Sequence, residues 1–448
     1  MLVVQPHGPL PRRECAAQGR AKAQSATSDE DGFQGKEWGR AGEFTRPDYR
    51  PWARASAPVR GNGPVLGDNP GVSASPESSS AAGLDPEGFR ALMQQRLQAR
   101  LHEAGGWLPF DQFMAMALYE PGLGYYSNAL PKIGRHPQSG TDFVTAPLMS
   151  PLFGQTLAVQ VAQALATTGH TEVWEFGAGT GALALQLLDA LGDAVSRYTL
   201  IEVSASLRER QARTLAAHAH KVHWAERWPE ALPGVVLGNE VLDAMPVKLL
   251  HRQDGIWKER GVVWQAGAWT WQDRPTSLRP PVEVAGTQDH LTEIHPQAEA
   301  FVRSLAEAMR AAAGGSSAFL IDYGFPEAEY YLAQRHMGTV MCHRLHQADP
   351  DPLVDPGEKD ITAHVNFTGV ALAAQEAGLT VLGYTSQGRF LLNLGLTERM
   401  QVASLAERAS AARLIHEHEM GELFKVIGLS TRDWPATGFA AGDRSHRL

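Results

Sequence analysis

Apolar and polar positions follow two different periods along this chain, and the switches between them mark its elements. From residue 171 onward short apolar runs, TEVWEF (171–176), YTLIEV (198–203), KVHWA (221–225), GVVLGN (234–239) and AFLIDYG (318–324), are separated by segments with helical spacing. Runs of this length bounded by turn residues read as buried strands, and their alternation with helices predicts a parallel sheet covered on both faces, an α/β fold. Further strands are expected at TVMCHRL (339–345), LTVLGYTS (379–386) and FKVIGLS (424–430). Residues 248–272, KLLHRQDGIWKERGVVWQAGAWTWQ, alternate at every second position around glycine turns. That pattern predicts antiparallel hairpins set into the α/β frame, with Trp257, Trp264, Trp269 and Trp271 as packing residues.

Upstream, Asp85-Pro86-Glu87 puts an N-cap acid, a helix-compatible proline and a first-turn acid in succession, so a helix should run from there to about Glu103. PFDQFMAMALYEPGLGYYSN (109–128) predicts a short helix, a Pro-Gly break and then adjacent Tyr125 and Tyr126. DFVTAPLMSPLFGQTLAVQVAQALATTG (142–169) places a Thr-Ala-Pro turn ahead of a long helix whose Phe153, Leu157, Val161 and Leu165 share a core-facing side. Residues 1–83 hold no sustained period and end in GVSASPESSSAAG, the composition of a disordered extension. The expected organisation is an extension over 1–83, a helical cap region over 84–170, the α/β domain over 171–430 with an insertion at about 247–300, and a flexible tail over 431–448.

Composition narrows the function classes. The chain has 448 residues, 43% hydrophobic and 20% charged, which suits a soluble globular protein with room for more than one domain. Its net charge of −9 and lack of a basic cluster argue against nucleic acid as a general partner and favour a cationic one. Two cysteines, Cys15 and Cys342, provide neither a disulfide framework nor a cysteine zinc site. The pairs His343/His346 and His416/His418 lack a third ligand nearby, so no metal is expected. No apolar run approaches the ~20 residues needed to span a bilayer, and the start MLVVQPHGPLPRREC lacks an apolar export core. A soluble, unexported chain is expected.

The chemistry concentrates where VWEFGAGTGAL (173–183) runs from a strand into Gly177, Gly179 and Gly181. Glycines at alternate positions let the backbone turn sharply and approach a ligand, while the following helix offers unpaired N–H groups. Gly177, Gly179 and Ala182 also fit the dinucleotide pattern G-x-G-x-x-A, which leaves a nicotinamide-dependent oxidoreductase open. Glu202, after the next strand, sits where such sheets place an acid for ribose hydroxyls. Glu175, just before the glycines, suits a cationic amino-acid moiety better than a pyrophosphate, since like charges repel. That favours a cofactor with a sulfonium and an α-ammonium, S-adenosyl-L-methionine. In LGNEVLDAMPV (237–247), Asn239, Glu240 and Asp243 reach the carboxyl edge of the sheet and form the candidate catalytic group. Two carboxylates can hold a planar guanidinium and accept a proton from it.

Taken in order, LYEPGLGYYSN, DFVTAPLMSPLFGQ, EFGAGTGAL, GNEVLDAMPV, LIDYG, DITAHVNF and MGELFKVI resemble the MidA family of class I S-adenosylmethionine-dependent methyltransferases across about residues 86–430. The resemblance implies a Rossmann-like sheet with added N-terminal helices and an inserted antiparallel substrate region. It assigns Gly177, Gly179 and Gly181 to the cofactor loop, Glu202 to the ribose, and Asn239, Glu240 and Asp243 to the active centre. Tyr125, Tyr126, Thr145 and Pro147 match the motifs that would cover the pocket. It further implies a protein arginine as methyl acceptor, with a respiratory complex I subunit as partner for the mitochondrial members, and it admits a homodimer. The compartment would be the bacterial cytoplasm or the mitochondrial matrix. Two positions depart from the family pattern: Leu148 and Asn366 stand where an acid is usual. Their loss leaves a non-catalytic, cofactor-binding assembly factor as the alternative.

Overall fold

The computed structural model describes residues 85–128, 144–345 and 347–448, so the expected extension over 1–83, Cys15 and His346 lie outside the described residues. The first helix, Pro86–Glu103, begins where its local chemistry says, with the Asp85 carboxylate accepting from the Gly88 N–H at 2.8 Å.

Seven strands carry the main sheet: β1 Glu172–Phe176, β2 Arg197–Ile201, β3 Val222–Ala225, β4 Gly234–Asn239, β5 Ser316–Phe325, β6 Thr380–Ser386 and β7 Phe424–Ser430. Their order is β3-β2-β1-β4-β5-β7-β6, and the short strand Val365–Asn366 pairs with the end of β5. The first five are parallel. Unlike these five, β7 runs antiparallel to both β5 and β6. Every residue of β4 is buried, because helices cover both faces. Val235 and Leu237 join a core with Phe153, Leu157 and Leu187 from the helices Pro151–Thr168 and Ala182–Leu191. Val236, on the opposite face, joins Val302, Leu305 and Val370 from Pro296–Ala311 and Phe367–Glu376.

The inserted segment folds as expected into an antiparallel sheet in which Lys248–Gln253 lies between Ile256–Gln265 and His290–Ile294, with Ala268–Pro275 on the far side of Ile256–Gln265. Its core also draws in the upstream helices: Phe89, Met93, Leu97, Phe110 and Phe113 pack with Leu249, Val262 and Ile361. The tryptophans serve this packing, with Trp269 edge-on to Phe113 at 5.7 Å and to Trp264 at 5.0 Å, and Trp271 against Phe110 at 5.3 Å.

Two expected boundaries change. Residues 84–170 are not one cap region: Pro86–Tyr119 packs on the inserted sheet, whereas Pro151–Thr168 packs on the main sheet. The tail 431–448, expected to be flexible, packs on the main sheet. Trp434 and Phe439 are buried, and Phe439 fills the space above two strand glycines, where a Cβ on Gly383 would fall 2.3 Å from its ring. The Arg444 N–H donates to the Tyr384 carbonyl at 2.6 Å, and its guanidinium grips Glu422 at 2.5 and 3.1 Å.

Candidate functional site

In an open α/β sheet ligands collect outside the carboxyl ends of the strands where the order reverses, here between β1 and β4. β1 ends on Phe176 and enters the glycine loop, with Gly177, Gly179 and Gly181 at φ 66°, 52° and 81°, all in the left-handed region that side chains disfavour. A Cβ on Gly177 would also meet Val241 Cγ2 at 2.8 Å, so the loop packs directly on the turn that follows β4.

Glu202 follows β2 and is held from two sides, its carboxylate accepting from the Ser204 N–H at 2.8 Å and from Gln211 Nε2 at 3.1 Å. The same Gln211 nitrogen donates to the Gly179 carbonyl at 3.0 Å, while its oxygen accepts from Trp224 Nε1 at 2.9 Å. One wholly buried glutamine therefore fixes the acid relative to the loop. Nothing in its helical neighbourhood in the sequence announces that role. Glu175 is buried under the sheet face and accepts from the Tyr198 hydroxyl at 2.7 Å; burial pushes its carboxyl up to about 7. Burial thus works against its charge, and a cation placed against it would favour the ionised form.

β4 delivers the second half of the site. Asn239, its last residue, donates from Nδ2 to Glu240 Oε1 at 2.8 Å, leaving its buried Oδ1 without a partner. Glu240 adopts φ 55°, an uncommon conformation for a residue with a side chain, and its N–H donates to the Ile321 carbonyl at 2.8 Å. Burial first, then the charge of Asp243, pushes the Glu240 carboxyl up to about 8, against a hydrogen bond from the Ala146 N–H. That bond gives the Thr-Ala-Pro turn a place at the site. Asp243 is pushed up to about 6 by burial while the Tyr323 hydroxyl bonds to it, and its buried Oδ1 has no partner.

The structure adds residues that the glycine and acid motifs did not single out. Asp322 and Tyr323, at the carboxyl end of β5, stand beside Asn239 because β5 pairs in parallel with β4. Asp322 Oδ2 accepts the N–H groups of Val241, Leu242 and Asp243 at 3.1, 2.9 and 3.2 Å. From the inserted lobe, Tyr126 donates to Asp360 Oδ1 at 2.8 Å and stacks on Tyr119 at 5.7 Å, and Tyr119 donates to the Ala244 carbonyl at 2.9 Å. The Ala363 N–H reaches the Asp243 carbonyl at 2.9 Å, tying the lobe to the acid turn. Strand order alone would have flagged Asp322, since LIDYG ends at the same sheet edge as LGNE. Tyr126 is expected over the pocket, whereas Tyr119 needed the tertiary fold.

Other expectations divide. Tyr126 faces the site, but its neighbour Tyr125 is buried in the lobe core. Thr145 is the N-cap of the short helix Ala146–Met149, and Pro147 and Leu148 border a cavity of about 460 Å³ with Thr180, Gln186, Asp189 and Arg210 that includes none of Glu175, Glu202, Glu240 and Asp243. Asn366 caps the helix Phe367–Glu376, its Oδ1 accepting from the Gly369 N–H at 3.2 Å, a task at which asparagine and aspartate are equivalent. His364 lies between the rings of Tyr323 and Phe325, each at 5.2 Å, and burial pushes it down to about 4, so it is a neutral packing residue.

A left-handed glycine cradle, an acid held rigidly beside it and an orphaned amide oxygen at Asn239 together fit a cofactor with ribose and amino-acid ends. Residues 156–385 match the family of S-adenosyl-L-methionine-dependent methyltransferases. A solved structure from Burkholderia thailandensis, bound to S-adenosyl-homocysteine, is 45% identical with a TM-score of 0.77 and covers 82% of this chain and 99% of that one. The chain is 29% identical to the mitochondrial protein arginine methyltransferase NDUFAF7 homolog of Drosophila melanogaster, over 82% of this chain and 91% of the relative. It is 26% identical to the protein arginine methyltransferase NDUFAF7 of Homo sapiens, over 72% and 80%. The dinucleotide pattern in the glycine loop is thereby a coincidence of spacing. The chain belongs to this family and is an S-adenosyl-L-methionine-dependent methyltransferase.

Proposed function

We propose that the chain methylates an arginine side chain of a protein, with the cofactor held by the glycine loop and the acceptor by the acid turn. One observation carries this reading. Glu240, Asp243 and Asp322 crowd the carboxyl edge of the sheet, each pushed upward by burial, and no Lys or Arg of the described residues is ion-paired with them. Buried carboxylates without cations are costly, and a guanidinium would relieve that cost while its planar fork is held by two acceptors.

Bound S-adenosyl-L-methionine supplies an electrophilic methyl group on its sulfonium. The backbone of Gly177, Gly179 and Gly181 makes room for the cofactor, Glu202 receives ribose hydroxyls, and Glu175 offers a carboxyl that ionises beside a cation. Asn239 orients Glu240 through its amide, keeping its free Oδ1 for a donor on the ligand. Glu240 and Asp243 accept guanidinium N–H groups and aim one nitrogen; as that nitrogen gains a methyl group it gives up a proton, which one of these carboxylates holds. Holding the acceptor in line is where the rate arises, since orientation can be worth ~7–11 kcal/mol in favourable cases.

The arginine acceptor extends to this chain what the names of the NDUFAF7 relatives say of them. As the protein bearing it we infer a respiratory complex I subunit, met in the bacterial cytoplasm or the mitochondrial matrix. Among the described residues no helix is long and apolar enough to cross a membrane. The test is to incubate the purified chain with methyl-labelled S-adenosyl-L-methionine and a lysate from cells lacking it, then hydrolyse the labelled protein to amino acids. Label in methylarginine is expected; label confined to another residue type would refute the acceptor.

A further inference from the structure

We infer that Asp322 is the positioning residue of the reaction centre, whose carboxylate fixes the backbone of residues 240–243 and so aims Glu240 and Asp243. The inference rests on the proposed role of those two acids and adds what holds them.

Three successive N–H groups, those of Val241, Leu242 and Asp243, converge on Asp322 Oδ2 at 3.1, 2.9 and 3.2 Å, and the Tyr323 N–H reaches Oδ1 at 2.9 Å. Three consecutive amides can point at one atom only if the chain curls around it, so the bonds dictate the turn's shape. Just before them Glu240 is held at φ 55°, anchored by its own N–H to the Ile321 carbonyl. A non-glycine residue persists there only when its surroundings over-determine the backbone. Asp322 supplies that constraint from a strand that is itself locked into the sheet between β4 and β7.

The charged and titratable groups facing Asp322 are Glu240 and Asp243 from the turn, Tyr323 from its own strand and Lys425, its register partner on β7. The Lys425 ammonium is taken up by the Glu422 and Leu423 carbonyls instead. Burial and mutual repulsion push the three carboxyls upward as a group, and at Asp322 four backbone donors oppose that rise. An asparagine cannot take its place. Both carboxylate oxygens accept backbone N–H groups, so an amide would turn its NH₂ against a donor in either orientation.

The test compares Asp322→Asn with the wild type on three readouts: amide hydrogen exchange of the peptide spanning 237–247, binding of S-adenosyl-homocysteine, and label transfer to lysate protein. In the variant exchange at 241–243 should speed up at least tenfold, transfer should fall about 100-fold, the scale set by a small misplacement of reacting groups, and S-adenosyl-homocysteine affinity should change less than threefold. Unchanged exchange, or transfer within threefold of wild type, would overturn the inference. So would a parallel loss of binding, transfer and thermal stability, which marks a merely structural residue. Should the variant not fold, the wild type decides: the amide protons of Val241, Leu242 and Asp243 must exchange at least tenfold more slowly than the same residues in an unstructured peptide of this sequence, and equal rates would overturn the inference. If wild type labels no protein, the proposed acceptor chemistry fails, while the exchange and binding readouts still judge Asp322.

Discussion

Two loops leave neighbouring parallel strands at the same sheet edge, yet they solve opposite problems. The loop after β1 uses glycines at positive φ to remove side chains and open space. The turn after β4 places a glutamate at φ 55° and surrounds it with three more acids, Asp243, Asp322 and, from the lobe, Asp360. Clearing space requires only the absence of Cβ atoms, so it costs little beyond glycine's entropy. Holding buried carboxyls in a strained turn requires compensation from elsewhere, and Asp322, Tyr323 and the Ala146 N–H provide it. On the proposed function the contrast would separate cofactor binding from acceptor handling, with Val241, packed on the glycine loop, joining the two.

The sharpest way to break this division is Gly177→Val. The substitution forces a β-branched residue to φ 66° and a Cβ to within 2.8 Å of Val241, so S-adenosyl-homocysteine affinity should fall more than ~100-fold by calorimetry, with ~2–3 kcal/mol of stability lost. Retained affinity would show that the loop does not shape the cofactor site. Asp243→Asn should do the reverse: transfer falls roughly 10–100-fold while S-adenosyl-homocysteine binding stays within threefold. If both parameters fell together, the turn would belong to the cofactor site as well.

The acids also leave a mark on stability. Glu175 and Glu240 have ordinary values of 4.5 but titrate at about 7 and 8 in the fold, and Asp243 moves from 3.8 to about 6. Between those limits these three groups hold more protons in the folded chain than in the unfolded one, while the buried His290, His295 and His364, pushed down to about 4, 3 and 4, hold fewer and oppose them below about pH 6.5. The stabilisation from the carboxyls is therefore complete below about pH 4 and is lost as pH rises through about 6 to 8. Urea unfolding of the cofactor-free chain should show stability falling from about pH 6.5 to pH 8, above the range in which the buried histidines oppose the carboxyls. Because Glu240 is only half-buried, Glu240→Gln should recover about 1 kcal/mol at pH 8 and nothing at pH 5. A slope of the opposite sign would mean that these carboxyls are ionised and paired. The smallest effect belongs to Asn366→Asp, which exchanges one good N-cap for another and should change stability by less than ~0.5 kcal/mol and transfer by less than twofold. A large gain in transfer would instead place residue 366 in the acceptor pocket.

The same division explains what the sequence could disclose. Local chemistry was legible: Asp85 caps a helix three residues from the N–H it binds, and the glycine spacing announces a loop that needs no distant partner. The alternation of strands and helices around the site was legible as well, from the apolar runs, but the order of the strands in the sheet was not. Asn366 misleads, since its cap geometry is local but the missing acid suggested a pocket. Gln211 was invisible because one side chain reaches Gly179, Glu202 and Trp224, three separate strand ends that only the folded sheet brings together. Phe439 was invisible for the same reason: the glycines that receive it, Gly383 and Gly428, lie on β6 and β7. The strain at Glu240 depends on Asp322, far along the chain, and no short-range pattern encodes it.

The central claim is that the acid turn handles an arginine while the glycine loop handles the cofactor. Its most direct test is Glu240→Gln, assayed on one preparation for S-adenosyl-homocysteine affinity and for methylarginine formed in lysate protein. The account predicts affinity within threefold of wild type and methylarginine reduced about 100-fold or more; methylarginine formed at the wild-type rate would contradict it.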